Sequence, residues 1–193
     1  MADLRLFVAI ELPGQVRAAL NKLQHDLQRD AALARLRWVR PEGIHLTLKF
    51  LGAVPAEKRG NIEAAVQRAV TGIHPFELTL GKLGTFGGKR SPRVFWVDIA
   101  GDTEVLTRLQ AQVERELTPL GFPAEGRAFA PHLTLARVPP ERASEAAVPL
   151  ADAVANREAP RATIAATELA LMKSDLRRDG AVYTRLVVAT LNV

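Results

Sequence analysis

Two of the four histidines in this 193-residue chain sit in the same tetrapeptide, His45-Leu46-Thr47-Leu48 and His132-Leu133-Thr134-Leu135. Each copy alternates polar and apolar residues, the period of a half-buried strand, so His and Thr share one face while the leucines point into a core. Each strand then presents an imidazole and a hydroxyl together. Two such strands facing each other make a cleft with two titratable rings and two hydroxyls, a set suited to acid/base chemistry on a phosphate ester. A single His-x-Thr is commonly an ordinary sheet feature. Packing explains repeated leucines, but it does not require a His and a Thr on the non-core face of both copies.

With an unperturbed pKa of about 6.5, one imidazole can hold a proton near neutrality while the other lacks one. The neutral ring takes a proton from water and the protonated ring delivers one to a departing ribose oxygen. The threonine hydroxyls and a nearby cation stabilise the charge that develops on the phosphorus oxygens. The residues do not say which ring plays which part. A strained cyclic phosphodiester suits this machinery because no cofactor is required.

Other chemistries fit poorly. His25, in a helical pattern, and His74, beside a proline, have no ligand-like spacing with the other two, so no metal site is legible. The run Gly84-Thr85-Phe86-Gly87-Gly88-Lys89 departs from a nucleotide phosphate loop, with its first glycine one position late and Arg90 where a Ser or Thr should hold magnesium. There is no Gly-x-Ser-x-Gly elbow. Cysteine is absent, which removes thiolate nucleophiles and disulfide scaffolds and is compatible with a reducing compartment.

The elements that must position the tetrapeptides also repeat. Arg5-Leu6-Phe7-Val8-Ala9-Ile10 resembles Arg93-Val94-Phe95-Trp96-Val97; Arg5 and Arg93 are 88 residues apart, and the two motif histidines 87. Val16, Leu20, Leu23 and Leu27 follow the first segment at helical spacing, as Leu106, Leu109, Val113 and Leu117 follow the second. Beyond each motif comes a second helical stretch, about 57–70 and 141–155, then a strand, about 76–83 and 163–173. Gly84 to Pro92 reads as a loop, and a last strand over about 181–191 pairs with its predecessor through Ser174 to Gly180, where Asp179-Gly180 signals a turn. The expected fold is α+β: a β-α-β-α-β unit used twice about a pseudo-twofold axis, with mostly antiparallel sheets flanking a central groove. It forms one bilobal domain over 1–193, with halves of approximately 1–90 and 91–193.

The 26 basic against 21 acidic residues give a formal +5, a weak pull toward polyanions. Lys82, Lys89, Arg90 and Arg93 cluster near the Gly-rich run, and Lys173, Arg177 and Arg178 near the last hairpin; on the groove rim they would attract phosphates. The N-terminal apolar run is broken by Arg5 and ended by Glu11 and Pro13, and no stretch is long enough to span a bilayer, so a cytoplasmic protein without membrane association is expected. No obligate protein partner is evident, and a monomer is expected.

The two motifs together resemble the paired His-x-Thr signatures of the 2H phosphoesterase superfamily, and within it the RNA 2',3'-cyclic phosphodiesterases, also called 2'-5' RNA ligases. The resemblance rests on Arg5 to Ile10, on Trp38-Val39 through Phe50-Leu51-Gly52, on Ala130 to Arg137, and on Ser174-x-Leu176 to Gly180-x-x-Tyr183. It implies a bilobal fold whose histidines face across a groove, and opening of RNA 2',3'-cyclic phosphate ends to 2'-phosphates. It further implies His45 as the acid for the leaving 3' oxygen, His132 as the base for water, Thr47 and Thr134 on the phosphate, and Arg137 as a further cation there. The first motif has Phe50 at the place of that arginine. Strict alternation from His132 turns Arg137 to the leucine face unless a bulge intervenes. Phe129 and Tyr183 are candidates to stack on a base or ribose and Ser174 to hydrogen-bond the substrate, with packing or turn roles as the alternative. The rival functions are an RNA or nucleotide binding module without turnover, and the same scaffold acting on another cyclic or 2'-5' substrate, including RNA end joining.

Overall fold

A computed structural model describes residues 3–177 and 180–192, so Arg178 and Asp179 of the expected turn lie outside the described residues. In chain order the elements are β1 (Leu4–Glu11), α1 (Gly14–Leu27), α2 (Ala31–Ala34), β2 (Arg37–Trp38), β3 (His45–Val54), α3 (Arg59–Ala69), β4 (Phe76–Gly88), β5 (Ser91–Gly101), α4 (Thr103–Leu117), β6 (His132–Arg137), α5 (Ala143–Asn156), β7 (Thr163–Ala166), β8 (Glu168–Arg177) and β9 (Gly180–Thr190). The strands form two sheets, ordered β3-β1-β8-β9 (sheet I) and β2-β6-β5-β4-β7 (sheet II), and every recorded pairing is antiparallel. Leaving out the short β2, the two orders match strand for strand: β3 with β6, β1 with β5, β8 with β4, β9 with β7. This is the duplicated α+β architecture expected from the repeats.

Each sheet draws strands from both halves of the chain. The strand β4 leaves the first half to join sheet II, and β8 and β9 leave the second to join sheet I. The helix after each first strand also crosses: α1 follows β1 of sheet I but touches β6 of sheet II through Gln24, and α4 follows β5 of sheet II but touches β3 of sheet I through Glu114. The regularly spaced apolar residues of α4 (Leu106, Leu109, Val113, Leu117) are all buried, as are Val16, Leu20 and Leu27 of α1. Burying such side chains contributes roughly 1.5–3 kcal/mol each. These side chains belong to the main hydrophobic core.

Two expected boundaries are corrected. The segment 84–92 is not a loop: β4 runs on to Gly88, leaving Lys89 and Arg90 as the hairpin turn. The glycines are tolerated in a strand because the Trp96 indole lies directly over Gly84, where a Cβ would come within 2.2 Å of the ring, and because Gly87 adopts φ +108° beside a register shift. The expected strand over 163–173 is two strands in different sheets, parted at Thr167, whose carbonyl accepts from Leu191 N–H at 2.9 Å. The chain changes lobes at that point. No helix among the described residues is long and apolar enough to cross a membrane.

Candidate active site

Both motif strands carry the same irregularity. In the β1–β3 ladder Ala9 pairs with Thr47 and Val8 with Lys49, skipping Leu48; in the β5–β6 ladder Trp96 pairs with Thr134 and Phe95 with Ala136, skipping Leu135. Each skip is a β-bulge, which puts two consecutive residues on the core side and returns the next to the outer face. Thus Leu48 with Lys49, and Leu135 with Ala136, are buried, while Phe50 and Arg137 emerge on the face of the histidine and threonine of their strand. The bulge answers the alternation problem posed by Arg137.

The paired registers also fix the repeat at 87 rather than 88 residues: Glu11 lies opposite His45 as Asp98 lies opposite His132. Phe7 therefore corresponds to Val94, not to Phe95. Phe95 is fully buried in the main core, whereas Phe7 belongs to a separate cluster with Ala9, Ala170 and Met172, on the groove face. The one-residue slip in the sequence comparison hid this difference.

The His45 ring stacks on Phe7, centroids 4.5 Å apart and planes 27° apart, and meets the edge of Tyr183 at 5.0 Å. Tyr183 lies against Gly43, where a Cβ would come within 3.1 Å of its ring. This burial lowers the His45 pKa to about 4, opposed by a hydrogen bond that the ring donates to the Gly43 backbone carbonyl, which favours the charged ring. His45 is therefore neutral in the free protein near pH 7. His132 Nδ1 bonds the Ala130 carbonyl at 2.8 Å. A carbonyl only accepts, so Nδ1 carries the hydrogen, and in the neutral ring the lone pair is on Nε2. Each ring is thus held from a backbone group two residues upstream. His132 meets Phe86 edge-on at 4.8 Å and Trp96 at 6.4 Å.

The two faces adjoin. Burial raises the pKa of Tyr183 on sheet I, and the charges of Arg137 on sheet II and of Arg5 on sheet I oppose that shift. Residues of β3 and β6 also approach within 8 Å between Cα atoms. The structure therefore brings together His45, Tyr183 and Arg137; Thr47 and Thr134 are half-buried on the faces of their histidines. Ser174 lies on β8 directly opposite Tyr183, on the face of Met172. Phe129 packs against the main core and makes no ring contact with either histidine among the described residues. Lys173 turns to the opposite face of β8 from Met172 and pairs with Asp175 at 2.9 Å, so it does not line the groove. Phe7, Phe86, Trp96 and Arg5 were not named as site residues from the sequence, and register at 87 residues is the signal that finds Phe7 and Trp96. Among the described residues no group of three or more His, Asp or Glu side chains could hold a metal ion.

Comparison with known proteins gives a consistent picture. The family model for LigT-like phosphoesterases matches residues 10–96 and again 97–183. A protein of Methanothermobacter thermautotrophicus named RNA 2',3'-cyclic phosphodiesterase is 32% identical over 97% of this chain and 98% of its own length. One of the same name from Thermotoga maritima is 36% identical over 70% of each chain. The crystal structure of E. coli LigT complexed with 3'-AMP superimposes with a TM-score of 0.76 at 29% identity over 99% of both chains, and that of E. coli LigT complexed with phosphate with 0.72 at 28% identity over 98%.

Proposed function

Since the chain belongs to the LigT-like phosphoesterase family, we propose that it hydrolyses 2',3'-cyclic phosphate ends of RNA to 2'-phosphates, by two-histidine acid/base catalysis without a metal. The observation that carries this reading is the pair of imidazoles, each anchored from the backbone two residues upstream, on faces that share a groove with Arg137. Relatives named RNA 2',3'-cyclic phosphodiesterase, and LigT structures complexed with 3'-AMP and with phosphate, support the substrate class.

In the proposed reaction the cyclic phosphate sits between the rings. The free Nε2 of His132 takes a proton from water as the water oxygen bonds to phosphorus. The bond from phosphorus to the 3' oxygen breaks on the opposite side, and His45 supplies the proton that this oxygen takes. Thr47, Thr134 and Arg137 hold the non-bridging oxygens as their charge grows. Because His45 is neutral in the free protein, it takes up a proton from solvent as the substrate binds: the negative phosphate beside the ring favours the imidazolium and offsets the burial that disfavours it. Tyr183 and Ser174 would contact the ribose or base from sheet I, while Phe129 has a packing role.

The test is product analysis by phosphorus NMR on an RNA oligomer ending in 2',3'-cyclic phosphate, in excess chelator. A 2'-phosphate end is expected. A 3'-phosphate end would exchange the leaving oxygen, turnover only with added metal would reject the metal-free scheme, and binding without turnover would leave a recognition module.

A further inference from the structure

Among the described residues only three polar or charged side chains are buried, Gln24, Lys49 and Glu114, and all three meet at the two bulges. In sheet II, Gln24 from α1 donates through Nε2 to the Leu135 carbonyl at 3.1 Å and to the Val39 carbonyl at 2.9 Å; Leu135 is the residue skipped in the ladder. In sheet I, Lys49, next to the skipped Leu48, pairs with Glu114 from α4 and donates to the Pro123 carbonyl at 2.8 Å. The helices α1 and α4 hold equivalent places in the repeat, and both are the ones that cross to the other lobe's sheet. A buried polar group costs free energy unless its bonds are made, and these three side chains make theirs at the bulges of the two motif strands.

The geometry points to Gln24 as a positioning residue: by stitching Leu135 to Val39 it holds the β6 bulge in the form that turns Arg137 into the groove. Lys49 with Glu114 is the counterpart at the β3 bulge. Without the amide the Leu135 carbonyl keeps only the Val39 N–H, at 2.9 Å, and the bulge loses its tie to α1, so β6 relaxes more readily toward regular alternation, which would carry Arg137 to the core side. Gln24 touches neither histidine in any recorded bond, so it acts on substrate only through the strand. This inference rests on the proposed phosphate contact of Arg137.

The experiment is a double-mutant cycle between Gln24→Met and Arg137→Ala, read as the dissociation constant of inorganic phosphate and as kcat/KM on a 2',3'-cyclic nucleotide. Gln24→Met, similar in length but unable to donate, is expected to weaken phosphate binding and kcat/KM about threefold to tenfold in the wild-type background and to have almost no effect once Arg137 is alanine. Equal losses in both backgrounds would overturn the assignment, because a general loosening of the fold does not depend on Arg137. Gln24→Leu, also unable to donate, carries the same expectation should Gln24→Met fail to fold. If wild-type protein neither binds phosphate nor turns over, the functional reading fails; if it does both and Gln24→Met matches it, only this inference fails.

Discussion

The two lobes are built on one plan and finished differently. Both place a histidine and a threonine before a bulge, and both anchor the ring from the backbone two residues upstream. In the first lobe, however, the ring is packed between Phe7 and Tyr183 and the bulge delivers Phe50, which is 62% exposed. In the second the ring meets Phe86 edge-on and the bulge delivers a cation, Arg137. The locks differ too: a neutral amide at one bulge, a buried ion pair at the other. Duplication supplies two equivalent imidazoles, and the changes around them assign one side to burial and the other to charge.

The strongest way to break the shared plan is to remove either ring. His45→Ala and His132→Ala should each lower kcat by about 10²-fold or more while circular dichroism stays that of the folded protein; near-normal turnover in either variant would leave that lobe without a catalytic part. The asymmetry is tested next. Arg137→Ala should cost about tenfold or more in kcat/KM, as loss of a charge-assisted bond does. Phe50→Ala, at the matching place, should cost less than about threefold, and equal losses would mean that the cation has no special part.

The buried ring makes the lobes differ in pH response. One apparent value in the kcat/KM profile should lie near 4, where His45 titrates in the free protein, and should move upward in the kcat profile because bound phosphate favours its charged form. Stability carries the same sign: with its folded pKa below the unfolded one, His45 costs nothing above about pH 6.5. As pH falls toward 4 it destabilises the fold, because only the unfolded chain takes up the proton. Denaturant titrations of His45→Asn should lose that part of the pH dependence. The smallest expected contrast is steric. Gly84→Ala drives a Cβ into the Trp96 ring and should destabilise by about 1–3 kcal/mol, while Gly43→Ala, with 3.1 Å to the Tyr183 ring, should cost less. The reverse order in thermal melts would contradict the packing around the two rings.

Much of this was legible in the chain. Period-two alternation identified the motif strands, 3.6-residue spacing identified α1 and α4, and the duplicated His-x-Thr located both rings, because these signals are local. What was hidden depends on pairing. The exchange of β4, β8 and β9 between sheets leaves no local mark, and the break at Thr167 passes unnoticed inside a continuous strand-like run. Gly84 to Gly88 reads as a loop until Trp96 is seen to fill the space that the glycine leaves. The bulges after Leu48 and Leu135 could be suspected only from Arg137 needing to face the groove. The main cost was the one-residue slip that equated Phe7 with Phe95, which concealed the ring under His45.

A crystal structure with inorganic phosphate bound tests most directly whether both rings serve one phosphate. The prediction is a single ion with the unanchored nitrogens of His45 and His132 each within roughly 2.6–3.2 Å of its oxygens. An ion held by one ring alone, with the other turned away, would contradict it.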